Sequence, residues 1–233
     1  MALERCVEPE WLDELPADDP RAQRSRRDLR RVNWVMGQGL IIRRVLARTV
    51  VSPPRVVVEL GAGDGRLMLH LARRLSTDWP GVKVVLLDRQ GLVTKQTLEA
   101  FASLGWEATV VTADLFDWLA DPPVRETDII VMNLVIHHFS AEQLKGLFAR
   151  AALHTRLFLA CEPRRSAFAS MGSRMLWALG CNDVTRHDAV LSVRAGFTGK
   201  ELSGLWPVDE GWRLEERAAG LFSHCFLAVR KNG

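Results

Sequence analysis

The residues of this chain best suited to chemistry begin with Glu59-Leu60-Gly61-Ala62-Gly63-Asp64-Gly65, directly after the apolar run Val56-Val57-Val58. Three glycines in five residues let the backbone turn sharply and let a bulky ligand approach where a Cβ would collide. The acid two residues before the first glycine narrows the choice of ligand. An anionic pyrophosphate prefers helix N-terminal amides with no carboxylate beside them, so Glu59 favours a cofactor that carries a cationic amine. Asp88 ends a second apolar run, Val84-Val85-Leu86-Leu87, 27 positions after Gly61, somewhat beyond the usual spacing of a ribose-binding carboxylate. Asp114 and Leu115 follow a third run, and Asn133 ends a fourth that starts at Asp128.

These residues need a scaffold of strands feeding helices. Continuous apolar runs without alternation, separated by helical patterns, predict a parallel sheet buried on both faces. Strands are expected near 55–60, 82–88, 107–112, 127–133 and 155–161, with helices near 65–76, 92–104 and 140–153. Ser140-Ala141-Glu142-Gln143 is a capping-box pattern that starts the last of these. Trp212 to Arg217 and Leu221 to Arg230 read as a closing antiparallel pair.

In this order the landmarks resemble class I S-adenosylmethionine-dependent methyltransferases. The resemblance implies a Rossmann-like, doubly wound α/β fold with seven mostly parallel strands, an antiparallel carboxyl-terminal strand and a helical lid. It further implies that Gly61, Gly63 and Gly65 cradle the methionine end of the cofactor, S-adenosyl-L-methionine, and that Glu59 helps hold its ammonium. Asp88 would accept from the ribose hydroxyls, and Asp114 would meet the adenine amino group with Leu115 against the ring. Ala62, Arg89 and Asn133 complete the expected cofactor-binding set. Asp28 to Asn33 and Thr185 to Thr198 are similar to a bacterial small-molecule branch close to the ubiquinone and menaquinone enzymes. A phenolic or polyketide-derived acceptor follows from that likeness, with oxygen favoured over carbon. Glu162 stands where this branch leads one to expect an aspartate.

Methyl transfer from a sulfonium needs two molecules held in line and water excluded, not a nucleophilic side chain. The pair His137-His138 follows the fourth strand, where the methyl should point. Either ring could take a proton from an acceptor hydroxyl, or one could simply hold the turn. His187, beside Asp188, is a parallel candidate for the base. His70, His154 and His224 fall in helix or strand patterns and read as structural.

Two segments lie outside the cofactor core. Residues 1–50 form an amino-terminal extension whose arginine-rich helical part carries Leu29, Val32, Met36 and Leu40 about a turn apart. The methyltransferase domain spans 51–233, with an insertion around 163–211 far longer than a usual connection. That insertion holds a predicted amphipathic helix with Phe168, Met171, Met175, Leu176 and Leu179, and a second capping box at Thr198 to Glu201. Both segments are expected to form a lid over the acceptor, with Trp34 or Trp177 lining it.

Composition limits the alternatives. With 31 Lys and Arg against 28 Asp and Glu and no tyrosine, nothing points to nucleic acid as a partner. The clustered arginines from Arg21 to Arg31 read as a solvated helix face. Four cysteines without paired spacing predict neither a metal site nor a disulfide framework, and a cytoplasmic setting is the simpler expectation. No apolar run approaches the ~20 residues of a membrane helix. A nicotinamide-dependent oxidoreductase is the rival reading, but Arg66 replaces the third glycine of Gly-x-Gly-x-x-Gly. A non-catalytic binding protein that keeps the cofactor pocket is the third. Composition does not speak to oligomeric state.

Overall fold

A computed structural model describes residues 4–16, 18–122, 127–208 and 210–231. Seven strands, β1 (Val56–Leu60), β2 (Lys83–Asp88), β3 (Glu107–Thr112), β4 (Thr127–Asn133), β5 (Thr155–Pro163), β6 (Trp212–Ala219) and β7 (Ser223–Arg230), form one sheet in the order β3-β2-β1-β4-β5-β7-β6. The first five are mutually parallel, and β7 runs antiparallel to both β5 and β6. The five expected parallel strands and the closing pair all appear within a few residues of their predicted bounds.

Helices cover both faces, which is why the central strands are apolar throughout. α4 (Arg66–Leu75) and α5 (Lys95–Ser103) belong to one side; Met68, Leu71 and Leu75 pack there with Val57, Val84 and Leu86. α6 (Leu115–Ala120) and α7 (Ala141–His154) belong to the other, where Leu144, Leu147 and Phe148 pack on Val58, Ile130 and Phe158. The Ser140 capping box forms with both of its hydrogen bonds. Strand order reverses between β1 and β4. The carboxyl ends of these two strands therefore open a crevice, the place where open α/β sheets bind ligands.

The remaining helices are α1 (Trp11–Glu14), α2 (Pro20–Met36), α3 (Gln38–Thr49), α8 (Ala167–Arg174) and α9 (Asp183–Ala195). Here the structure corrects three expectations. The amino-terminal helical stretch breaks at Gly37, whose φ of 67° ends α2 and starts α3. The buried stripe of α2 is Ala22, Ser25 and Asp28, not Leu29, Val32 and Met36, because α2 packs on α9 through polar contacts. Thr185 Oγ1 donates to Ser25 Oγ (2.9 Å), and the Asn182 N–H donates to Asp28 (2.8 Å). The predicted amphipathic helix is cut short: α8 ends at Arg174, a 3-10 turn covers Leu176–Leu179, and only Leu176 of the five named apolar residues is buried. At Thr198 to Glu201 the Thr198 N–H does reach Glu201, but the chain continues as turns, and Glu201 also binds the Arg165 guanidinium.

Candidate active site

The glycine loop leaves β1 exactly at the strand crevice, so its geometry follows from β1 and β4 together. Gly61 has φ of 77°, and a Cβ there would stand 2.3 Å from a methyl of Val135. Both backbone and space therefore demand glycine. The Gly61 and Ala62 N–H groups donate to the Leu87 carbonyl (2.8 and 2.9 Å), which ties the loop to β2. Gly63 also has a left-handed φ, of 54°, yet a Cβ there would meet nothing within 4 Å, so its outer face is open to a ligand. Gly65 starts α4.

Asp88 braces this loop from the end of β2. Its carboxylate accepts from the N–H groups of Gly63 and Gln90, both at 2.8 Å. Arg89 beside it is exposed. Asp114 caps α6, accepting from the Phe116 N–H (2.8 Å), and Leu115 is buried next to it.

Glu59 is the electrostatic centre of the crevice. Its carboxyl is 2% exposed, and Oε2 has no hydrogen-bond partner. Burial, reinforced by the negative charges of Asp64 and Asp88, pushes its pKa well above the usual carboxylate range; only a backbone hydrogen bond from Met68 acts the other way. A buried acid without a counter-ion calls for a cationic partner. At the neighbouring end of β4, Asn133 Nδ2 donates to Gln38 Oε1 (3.3 Å), while Asn133 Oδ1 and Gln38 Nε2 remain unpaired. The donor set thus fits a ligand with an ammonium group and further polar atoms. Gln38 carries no motif in the sequence; it enters the site because the break at Gly37 turns α3 toward β4.

After β4 the backbone makes a tight turn at Leu134, a non-glycine residue with φ of 57°. A 3-10 turn, Ile136–His138, then presents the two histidines. His137 is 3% exposed, with Nδ1 2.7 Å from Glu162 Oε2 and Nε2 3.5 Å from Glu10 Oε1. Burial alone would lower its pKa, but Glu10 and Glu162 outweigh burial and hold it at about 9. His138 is the more exposed ring, stacked at a tilt on His137 with centroids 4.1 Å apart, and Asp13 lies 3.6 Å from its Nδ1. Burial and the charge of His137 lower its pKa, so it is neutral near pH 7.

Glu162, fully buried, also accepts from the Val135 and Ile136 N–H groups (3.0 and 3.1 Å). It fixes the whole turn, a job for which the extra methylene over aspartate gives the reach. Glu10 and Arg5 arrive from the amino-terminal segment; the Arg5 guanidinium donates to the carbonyls of His137, Phe139 and Ala195. His187 stands apart from the pair: its ring stacks on Trp11 (3.7 Å), and its Nδ1 lies 3.0 Å from Asp188. Asp188 in turn accepts from the N–H groups of Trp11 and Leu12, both at 2.9 Å.

α2 reaches over the cofactor turns. Arg26 donates to Gln90 (3.1 Å), and Arg30 lies 3.7 Å from Asp64. Beside it runs an open groove of about 1010 Å³ lined by Arg24, Arg27, Arg31, Trp34, Val35 and Leu179, among others. Met171, Met175 and Trp177, expected in an acceptor pocket, do not line this groove and stand on the surface.

A family model described as "Methyltransferase domain" matches residues 57–156, the stretch from β1 to β5 that carries the glycine loop, Asp88 and the histidine turn. Over residues 57–156 the chain is similar to methyltransferase domains. The chain is also similar to trans-aconitate 2-methyltransferase of Mycobacterium tuberculosis, at 37% identity over 93 residues. That match takes in 40% of this chain and only 31% of the relative. The whole chain has the fold of the plantazolicin methyltransferase solved with SAH (TM-score 0.63, 12% identity, 92% of each chain). It also has that of an O-methyltransferase family protein from Burkholderia thailandensis (TM-score 0.61, 19% identity, 93% of this chain and 62% of the other).

Proposed function

We propose that this protein transfers a methyl group from S-adenosylmethionine to a small molecule, most simply to the hydroxyl of a phenolic or polyketide-derived compound. The observation that carries the reading is Glu59: a buried carboxyl without a counter-ion and with one oxygen unpartnered, beside an open glycine loop, where the ammonium of the cofactor supplies the missing cation. When bound, the cofactor contributes an electrophilic methyl group on sulfur. The chain then has to orient the cofactor, exclude water and provide for the acceptor's proton.

Orientation falls to the glycine loop, to Asp88, whose backbone-braced carboxylate suits the ribose hydroxyls, and to Asp114 with Leu115 at the adenine. Ala62, Arg89, Asn133 and Gln38 border the same space. Exclusion of water falls to α2 and the amino-terminal segment, which with residues 163–211 act as the lid. Of the three candidate histidines, His138 is the one we place against the acceptor, since it is neutral and part-exposed. His137 holds the turn between two carboxylates, and His187 anchors α1. The motifs at 28–33 and 185–198 support the small-molecule branch near the ubiquinone and menaquinone enzymes: Asp28 and Asp188 are both buried contacts between the lid segments.

The test is calorimetric titration with S-adenosylmethionine and with a nicotinamide dinucleotide, followed by assay of labelled methyl transfer to host extracts. Binding of the first alone with a labelled product supports the reading. Preference for the dinucleotide overturns it, and tight cofactor binding with no product in any extract favours a binding protein.

A further inference from the structure

The turn after β4 holds a group of side chains that neither the glycine loop nor the cofactor uses. One nitrogen each from His137 and His138 and one oxygen of Glu10 lie within 4.8 Å of one another. We propose that Glu10, His137 and His138 form a binding site for a divalent transition-metal cation of the zinc type, beside the acceptor.

Three features of the geometry support this. First, His137 Nε2 is buried and makes no hydrogen bond, and the nearest carboxylate oxygen, Glu10 Oε1, stands 3.5 Å away. Two ligands bound to one tetrahedral zinc at 2.0–2.1 Å stand about 3.3 Å apart, so these two atoms already have close to the separation that a shared zinc would set. Second, the other nitrogen of His137 lies 2.7 Å from Glu162, which is itself fixed by the Val135 and Ile136 N–H groups. A carboxylate behind a ligating imidazole sets its tautomer and aims the second nitrogen at the metal, and that is the arrangement found here. Third, the Ser192 hydroxyl donates to Glu10 Oε1, the same oxygen that faces His137, so the carboxylate is positioned and not a free surface group. His138, 27% exposed, leaves the site open on one side, and Asp13 lies 3.6 Å from its ring as a further oxygen donor at the rim.

Two imidazoles and one carboxylate select zinc, cobalt or iron over magnesium or calcium, which take oxygen donors. Three protein ligands with an open side are the pattern of catalytic rather than structural zinc. Such a cation lowers the pKa of an oxygen that binds it. An acceptor hydroxyl held there would release its proton to solvent and present its oxygen to the methyl group, with the lone pair of His138 spent on the metal. This use of the cation rests on the methyl-transfer reading. The binding of the cation does not, and the sequence conceals it because Glu10 is 127 positions from His137.

The full-length protein, freed of metal with a chelator and exchanged into buffer without cofactor, is titrated with zinc by calorimetry and with cobalt by visible absorption. The expected result is one zinc per chain with Kd of about 1 µM or tighter, a tetrahedral cobalt spectrum without thiolate bands, and no response to millimolar magnesium. Glu10→Gln and His138→Gln should each weaken zinc binding at least ~100-fold, more than loss of an outer-shell partner costs. Both positions are reached by solvent, so these variants are expected to fold, and circular dichroism confirms that they do. Zinc binding of wild-type strength in both folded variants, thiolate bands in the cobalt spectrum, or no binding by the wild type would each overturn the site. Failure of the methyl-transfer reading would leave these binding results unchanged, whereas its success with a zinc-free enzyme unaffected by added zinc would remove only the cation's catalytic use.

Discussion

At the scale of single residues, Glu59 makes the sharpest demand. Its carboxyl is protonated over a range of pH where a free glutamate is ionised, because burial and two neighbouring acids raise its pKa. An arriving ammonium reverses that balance, so cofactor binding should expel a proton and tighten as pH rises through Glu59's range. Calorimetry in buffers of different ionisation enthalpy reads this release directly, and Glu59→Gln should abolish it and weaken binding by about 1.5–3 kcal/mol. Unaltered proton release in that variant would assign it elsewhere. His138→Gln tests the acceptor side: turnover should fall by about 10²–10⁴ while cofactor affinity holds, and an inflection on the acid side of the ordinary histidine range should disappear. The glycines, Glu59 and Asp88 were legible in the sequence because each stands at a strand end, where local spacing implies position. Glu10, Gln38 and Glu162 were not, because their partners, at His137 and Asn133, are brought to them only by the folded chain.

At the scale of elements, the amino-terminal segment behaves as a strap across the end of β4. It is stitched by Arg5 to three carbonyls, by Cys6 N–H to the Arg194 carbonyl (3.2 Å), and by Trp11 and Leu12 to Asp188. Asp188→Ala removes the last anchor and leaves two N–H groups at the start of α1 without their acceptor. The expected result is faster proteolysis within residues 4–16 and a stability loss of about 1–3 kcal/mol, with an unchanged affinity for cofactor. Equal protease resistance in wild type and variant would show that α1 does not depend on this anchor. Trp34, 82% exposed at the groove, poses the opposite case. Trp34→Ala should change stability by less than about 0.5 kcal/mol and raise the Michaelis constant for the acceptor. Sheet strands and the α7 cap could be read ahead of the structure because burial on both faces and a capping box leave strong local patterns. The lid helices could not, since α2 buries Ala22, Ser25 and Asp28 against polar partners on α9, and a helix face of that kind carries no apolar periodicity.

For the molecule as a whole, pH acts through His137. Its folded pKa of about 9 is raised above the free value, so the stabilisation is complete below about pH 6.5 and is lost as pH climbs toward 9. In metal-free buffer the protein should therefore lose on the order of 3 kcal/mol over that interval, and His137→Gln should flatten the dependence. Denaturant midpoints at several pH values measure it; an equal slope in wild type and variant would show that other groups dominate. The sheet itself has one more property. β7 lies between β5 and β6, so the edge of β5 that carries Leu157 to Cys161 is paired by a strand that begins at Ser223, some sixty residues later. During synthesis at about 5–20 residues per second, this apolar edge is made seconds before its partner emerges from the ribosome. A nascent chain halted before β7 presents an open edge of the kind that recruits other strands, which makes early termination in this protein a route to aggregation rather than to a smaller working enzyme.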